Sequence, residues 1–223
     1  MKSKKFEKTK KLRLNLPAII DALEGVKHNF SEINRQLTLK REDFNDDVMN
    51  NMIAAYQYLD DMIAKNTDMF SENGMSYIQE LNHIVLCGTD LETRNEYADH
   101  IKNTNKRVKE LFQPIKKWYK KHCKEHPLKI AAEVYVGVLS IPQLFIEGNH
   151  RTGALISSWI LIKNGYPPLA LNLKNAVHYF EPSAQIKFSK KRDVKGKLKL
   201  PKYKKHFRKF LKKFLSNEYL TEA

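Results

Sequence analysis

IPQLFIEGNHRTGALISSWIL, residues 141–161, joins a tight polar turn to the most apolar segment of its neighbourhood. A Gly-Asn turn, with an acid before it and an Arg after it, runs straight into an apolar segment. Leu155, Ile156, Trp159, Ile160 and Ile162 leave that segment little polar surface, so it reads as a central, buried helix. The first turn of such a helix opens into the protein, where its leading N–H groups need partners and its dipole favours an anion. Gly148 allows the tight turn and a close backbone approach, and Asn149 tolerates an unusual dihedral region. Arg151 offers a charge-assisted, bidentate contact to phosphate. Glu147 offers a carboxylate suited to a Mg²⁺ that bridges phosphate oxygens. The same residues also read as an N-capped helix with Glu147 and Arg151 in a structural ion pair, and the residues alone leave both readings open.

Outward from this loop the pattern is helical. Val48, Met52, Leu59 and Ile63 make one apolar face, with Asn45 or Asp46 as its N-cap; Ile78, Leu81, Ile84 and Val85 make another, closed by Gly88. A third helix is expected over residues 106–121, bent or restarted at Pro114. PLKIAAEVYVGVL (127–139) leads to the loop, and the helix after it is expected over 151–165, ended by Gly165. A shorter helix starts near Asn172 and a last amphipathic one follows Pro201. The polar segment 88–104 is the candidate for a flexible flap, read as a small hairpin. An all-α fold follows, organised as an N-terminal helical region (1–70), a core (71–190) and a basic C-terminal helix (191–223).

The 223 residues suffice for one well-packed domain. The apolar run at 154–162 is far too short to cross a bilayer, and no apolar core with a cleavage site follows the basic N-terminus. Cys87 and Cys123 stand apart with no metal-ligand spacing and read as free thiols. A cytoplasmic protein is the expectation. The net charge of +15 is concentrated: residues 187–213 hold fourteen Lys or Arg against the single acid Asp193, which gives +13, and a second basic patch lies at residues 2–13. In the tail, apolar residues at 207, 210, 211 and 214 keep helical spacing. That suits either a terminal helix docked on the domain or a basic surface for nucleic acid or another acidic partner.

FIEGNHRTG resembles the core motif of the Fic/Doc (Fido) family, H-x-F-x-[D/E]-G-N-G-R-x-x-R. The resemblance extends to HPLKIAAEVY before the motif, to NAVHYFEPSAQIK (175–187) after it, and to IIDALEGVKHNFSEI near the N-terminus. It covers roughly residues 18–190. It implies a Fic-like helical bundle and Mg²⁺-dependent transfer of AMP, or a related phosphate-containing group, from ATP or another nucleoside triphosphate to a hydroxyl of a target protein. By the resemblance Glu147 holds the metal, Asn149 orients phosphate, Arg151 binds the terminal phosphates, the amides from Gly148 onward form an anion hole, and Phe145 anchors the loop.

Three positions depart from the family pattern. Gln143 stands where the family has its catalytic His, and no His occurs from Pro127 to Asn149. That base is worth on the order of 10²–10⁴ in rate, and an amide cannot titrate in its place. Ala154 replaces the second Arg, and His150 replaces a Gly. Both features are shared with the kinase-type branch of the family. His150 is therefore read as a displaced base, or as a phosphate-contacting or helix-capping side chain. Glu24 matches the family's inhibitory Glu, although Ile20 stands where Ser or Thr is expected and Ala154 removes the usual Arg partner. Loss of catalysis with the phosphate cradle retained is the alternative to transfer.

Overall fold

The computed structural model describes residues 12–222, so the basic patch at 2–13 lies almost wholly outside the described residues. Within them the chain is all-α: α1 (Leu16–His28), α2 (Phe30–Gln36), α3 (Asp46–Ala64), α4 (Gly74–Cys87), α5 (Leu91–Glu96), α6 (Ala98–His122), α7 (Pro127–Leu139), α8 (Asn149–Ile162), α9 (Ala176–Lys187) and α10 (Val194–Phe214). β1 (Leu12–Leu14) and β2 (Leu220–Glu222) pair antiparallel, with Leu14 opposite Leu220. This small ribbon ties the two ends of the described chain together. It is fixed to α3 by Asp60, which is almost fully buried, pairs with the Arg13 guanidinium and accepts from Leu14 N at 2.8 Å.

α8 is the axis of the bundle. From Thr152 to Ile162 every residue is buried, including Ser157 and Ser158, whose hydroxyls donate back to the carbonyls of Gly153 and Ala154 at 2.8 and 2.9 Å. A helix with no polar face must be covered on all sides. α7 packs most extensively against it, and α3 and α4 complete the jacket. Gly153 permits the close approach of α7: a Cβ there would lie 3.3 Å from the Tyr135 ring. One hydrophobic core runs through these elements, from Leu14 to Leu220.

Several boundaries differ from the sequence expectation, each for a local reason. The buried face of α3 is Met49, Met52, Ala55, Tyr56, Leu59 and Met62. Val48 and Ile63 are only half-buried at the edge of this face, and the Tyr56 hydroxyl on it reaches Leu169 O at 2.8 Å. α6 runs unbroken through Pro114, and α10 begins seven residues before Pro201, where Asp193 caps it by accepting from Gly196 N. Segment 88–104 is helical rather than a hairpin flap. Asp90 caps α5 by accepting from Thr93 N at 2.8 Å, and Arg94 donates to Gly88 O at 2.9 Å while pairing with Glu80. The polar residues that suggested a flap are caps and pins.

Candidate functional site

The loop between α7 and α8 is built around Asn149. Its side-chain oxygen accepts from Phe145 N at 2.9 Å and its amide donates to Phe145 O at 2.9 Å. The side chain thereby closes the turn 145–149 on itself while Phe145 is sunk completely into the core. Gly148 takes φ +71°, a left-handed conformation that L side chains rarely adopt, and a Cβ there would lie 2.9 Å from Asn82 Nδ2. Asn82 sits under the turn, donating to Glu147 O at 3.1 Å and to Thr152 Oγ1 at 3.0 Å. Phe145 is the loop anchor, as expected. The Asn149 side chain holds the loop through these two bonds, and the residue lines the cavity at the start of α8.

Gly148 caps α8 without any side-chain hydrogen bond. The helix opens instead into a cavity of about 430 Å³, lined by Gln143 and Ile146 through Arg151, by Ala154, by Lys40–Phe44 from the α2–α3 connection, and by Tyr179, Phe180 and Lys187. Arg151 lines it too, donating to Val85 O at 2.9 Å. Among the described residues neither Arg151 nor Glu147 forms an ion pair, which removes the alternative of a structural Glu147–Arg151 bridge. Burial lowers the pKa of Arg151, while Glu42 and Glu147 act in the opposite direction. An unpaired guanidinium beside an uncapped helix start is an anion-binding arrangement.

Glu147 is exposed at the cavity edge, with Glu42 and Asp43 also on the wall. Among the described residues no three His, Cys, Asp or Glu side chains converge to hold a metal by themselves. A lone accessible carboxylate fits Mg²⁺, which keeps several waters and takes its remaining ligands from phosphate oxygens.

His150 points the other way from a base. Arg41 Nη1 lies 3.1 Å from its Nε2, and a guanidinium only donates, so Nε2 accepts. The ring proton is then on Nδ1, facing the Tyr135 hydroxyl at 3.4 Å. The backbone carbonyl of His150 accepts from Tyr179 OH at 2.8 Å. Burial, and then Arg41, Lys187 and Arg151, push the imidazole pKa well below its ordinary value, so it is neutral. With both ring nitrogens engaged, His150 is a half-buried connector on the cavity wall. The Gln143 side-chain amide donates to Leu139 O at 3.0 Å, and the Gln143 backbone carbonyl accepts from Arg107 Nε at 2.8 Å.

Glu24 is exposed on α1; its neighbour Leu23, not Glu24, reaches the cavity wall. The basic tail is docked. Phe207, Phe210 and Leu211 of α10 are buried, and Phe207 stacks on Tyr135 of α7 with centroids 4.0 Å apart. Lys205, Arg208, Lys209, Lys212 and Lys213 stay exposed on the outer face. Cys87 is buried and Cys123 exposed, both free. Among the described residues no helix is long and apolar enough to cross a membrane.

Arg41 is the site residue that sequence reading passed over. It lies in a polar connection with no motif around it. The only signal was its basic character in RED (41–43), which is indistinguishable from a solvated loop. No family model matches the chain, and no curated protein matches it either.

Proposed function

We propose that this chain is a Fic-like protein whose cradle binds the phosphates of a nucleoside triphosphate and presents them to a hydroxyl of a target protein. The supporting observation is the uncapped start of α8 beside Arg151, a half-buried cation with no carboxylate in ion-pair contact, at the mouth of a cavity of nucleotide-binding size. Arg151 and the N–H groups from Asn149 onward hold phosphate oxygens. Glu147 would hold Mg²⁺, which supplies charge neutralisation between those oxygens.

Transfer needs an acceptor for the hydroxyl proton, and here one observation favours a second reading. Gln143 cannot titrate, and the neutral His150 has both nitrogens engaged by Arg41 and Tyr135. The same cradle kept for binding alone, as a catalytically impaired member of such a family, accounts for both facts.

Incubation with Mg²⁺ and nucleoside triphosphates labelled at the α or γ phosphorus, in the presence of cell lysate, separates the readings. Label transfer abolished in Glu147→Ala and Arg151→Ala supports the transferase; α label means nucleotidyl transfer and γ label kinase-type transfer. Saturable nucleotide binding with no label on any protein supports the binding-only form. No nucleotide binding refutes both and leaves the basic face of α10 as the functional surface. Salt-sensitive RNA or DNA binding lost in Lys205→Glu with Lys209→Glu would establish that alternative. Truncating α10 is unsuitable for this test, because its buried face belongs to the core.

A further inference from the structure

Ala154, one turn into α8 and facing the cavity, provides no cation where the family pattern has its second Arg. A guanidinium reaches the same cavity from elsewhere in the chain. The α2–α3 connection is strapped down at Lys40 and at Arg41 itself. Lys40 Nζ caps the end of α2 on the carbonyls of Asn34, Arg35 and Leu37 at 2.8–3.1 Å, and Asn34 exchanges two hydrogen bonds with the Arg41 backbone. From this fixed base the Arg41 side chain crosses the cavity to α9. Its Nη2 donates to Phe180 O at 2.9 Å and to Ser183 Oγ at 3.1 Å, its Nη1 donates to His150, and its Cζ lies 5.4 Å from the Phe180 ring centre.

A strap of this kind needs hydrogen-bond donors, but it has no need of a charge. Yet Arg41 forms no ion pair among the described residues, although Glu42 and Asp43 follow it directly, and its Nε is buried without a partner. Half-buried cations are ordinarily paired. Here two guanidinium groups, Arg41 and Arg151, flank one neutral imidazole in one cavity, and among the described residues neither is in ion-pair contact with a carboxylate, although Glu42, Asp43 and Glu147 line the same cavity. Such an arrangement fits an anion carrying more than one negative charge.

We propose that Arg41 is the second phosphate-binding cation of this cavity, supplied from the α2–α3 connection in place of position 154, and that it selects polyphosphate over a single phosphate. The proposal rests on the phosphate-cradle reading above. One phosphate sits at Arg151 and the start of α8, and the next along the chain meets the Nη1 N–H of Arg41 that His150 does not take.

The test is calorimetric titration, in Mg²⁺, with inorganic tripolyphosphate and with inorganic phosphate. Arg41→Gln and Arg41→Met are two neutral variants: the first keeps a donor for Phe180 O, the second keeps an apolar stem over the Phe180 ring. Melting curves establish which of them is folded. Loss of a charge-assisted contact predicts that tripolyphosphate binds roughly 10–100-fold more weakly, while phosphate affinity changes less than about threefold. Arg151→Ala weakens both anions. If the neutral variants bind tripolyphosphate like the wild type, or lose both anions to the same degree, Arg41 is a structural strap and the proposal fails while the cradle stands. If the wild type binds neither anion, the cradle reading fails with it.

Discussion

Asn149→Ala separates what the motif implies from what the fold shows. By the family pattern this side chain faces phosphate; in the structure both of its polar atoms bond the backbone of Phe145, at 2.9 Å each. Truncation leaves a buried N–H and a buried C=O without partners, and each such group costs about 1–3 kcal/mol. Phe145 is fully buried, so neither group regains water without moving the loop anchor. A total near 3 kcal/mol is expected, and for a chain of this size that lowers the melting temperature by about 6–12 °C. Asn149→Asp still accepts from Phe145 N but opposes Phe145 O with a carboxylate, so it is expected to be worse than Ala. Thermal unfolding followed by far-ultraviolet circular dichroism measures both, and tripolyphosphate titration below the transition reports the cradle. A melting temperature within about 2 °C of wild type, together with lost tripolyphosphate binding, would mean that the amide contacts the ligand and not the loop.

Gly148→Ala puts a Cβ on a backbone at φ +71° and 2.9 Å from Asn82 Nδ2; a loss of about 1–3 kcal/mol in chemical denaturation is expected, with weakened tripolyphosphate binding. Phe207→Ala removes a fully buried ring stacked on Tyr135 and is expected to cost about 3–5 kcal/mol, whereas Lys209→Ala on the outer face changes stability by less than about 0.5 kcal/mol. Glu80, hydrogen-bonded by His83 and paired with Arg94, has its carboxyl lowered from 4.5 to about 2. A depressed folded pKa stabilises above the unfolded value, so that contribution is complete above pH 4.5 and disappears as pH falls toward about 2. The Glu80→Gln variant should therefore lose less stability across that window than the wild type, measured by urea unfolding at each pH.

Much of the helical architecture was legible because helical burial writes itself into spacing. Ile78, Leu81, Ile84 and Val85 are all buried on α4, and Gly88 and Gly165 stop their helices at positive φ. The apolar line at 207, 210 and 211 of the tail docks as its spacing suggested. On α3 the expected Met52 and Leu59 are buried and Val48 and Ile63 lie at the edge of a face that also takes in Met49, Ala55, Tyr56 and Met62. The hairpin flap was misjudged because polar residues serve caps as readily as they serve loops: Asp90 and Arg94 look alike in either role until Thr93 N, Gly88 O and Glu80 are in place.

At the site the division is sharper. The sequence by itself determined that a buried helix begins at a Gly-Asn turn with an acid before it and an Arg after it, and that no His stands at position 143. These are properties of neighbouring residues, and backbone geometry links neighbours directly. What each side chain faces was set by packing between elements distant in the chain. It turned the Asn149 amide onto Phe145, left Glu147 and Arg151 unpaired, and locked His150 between Tyr135 and Arg41. It also brought Arg41 into the cavity from 109 residues away. A hydrogen bond joins groups across space, and with more than a hundred residues between Arg41 and His150, no local pattern records that they meet.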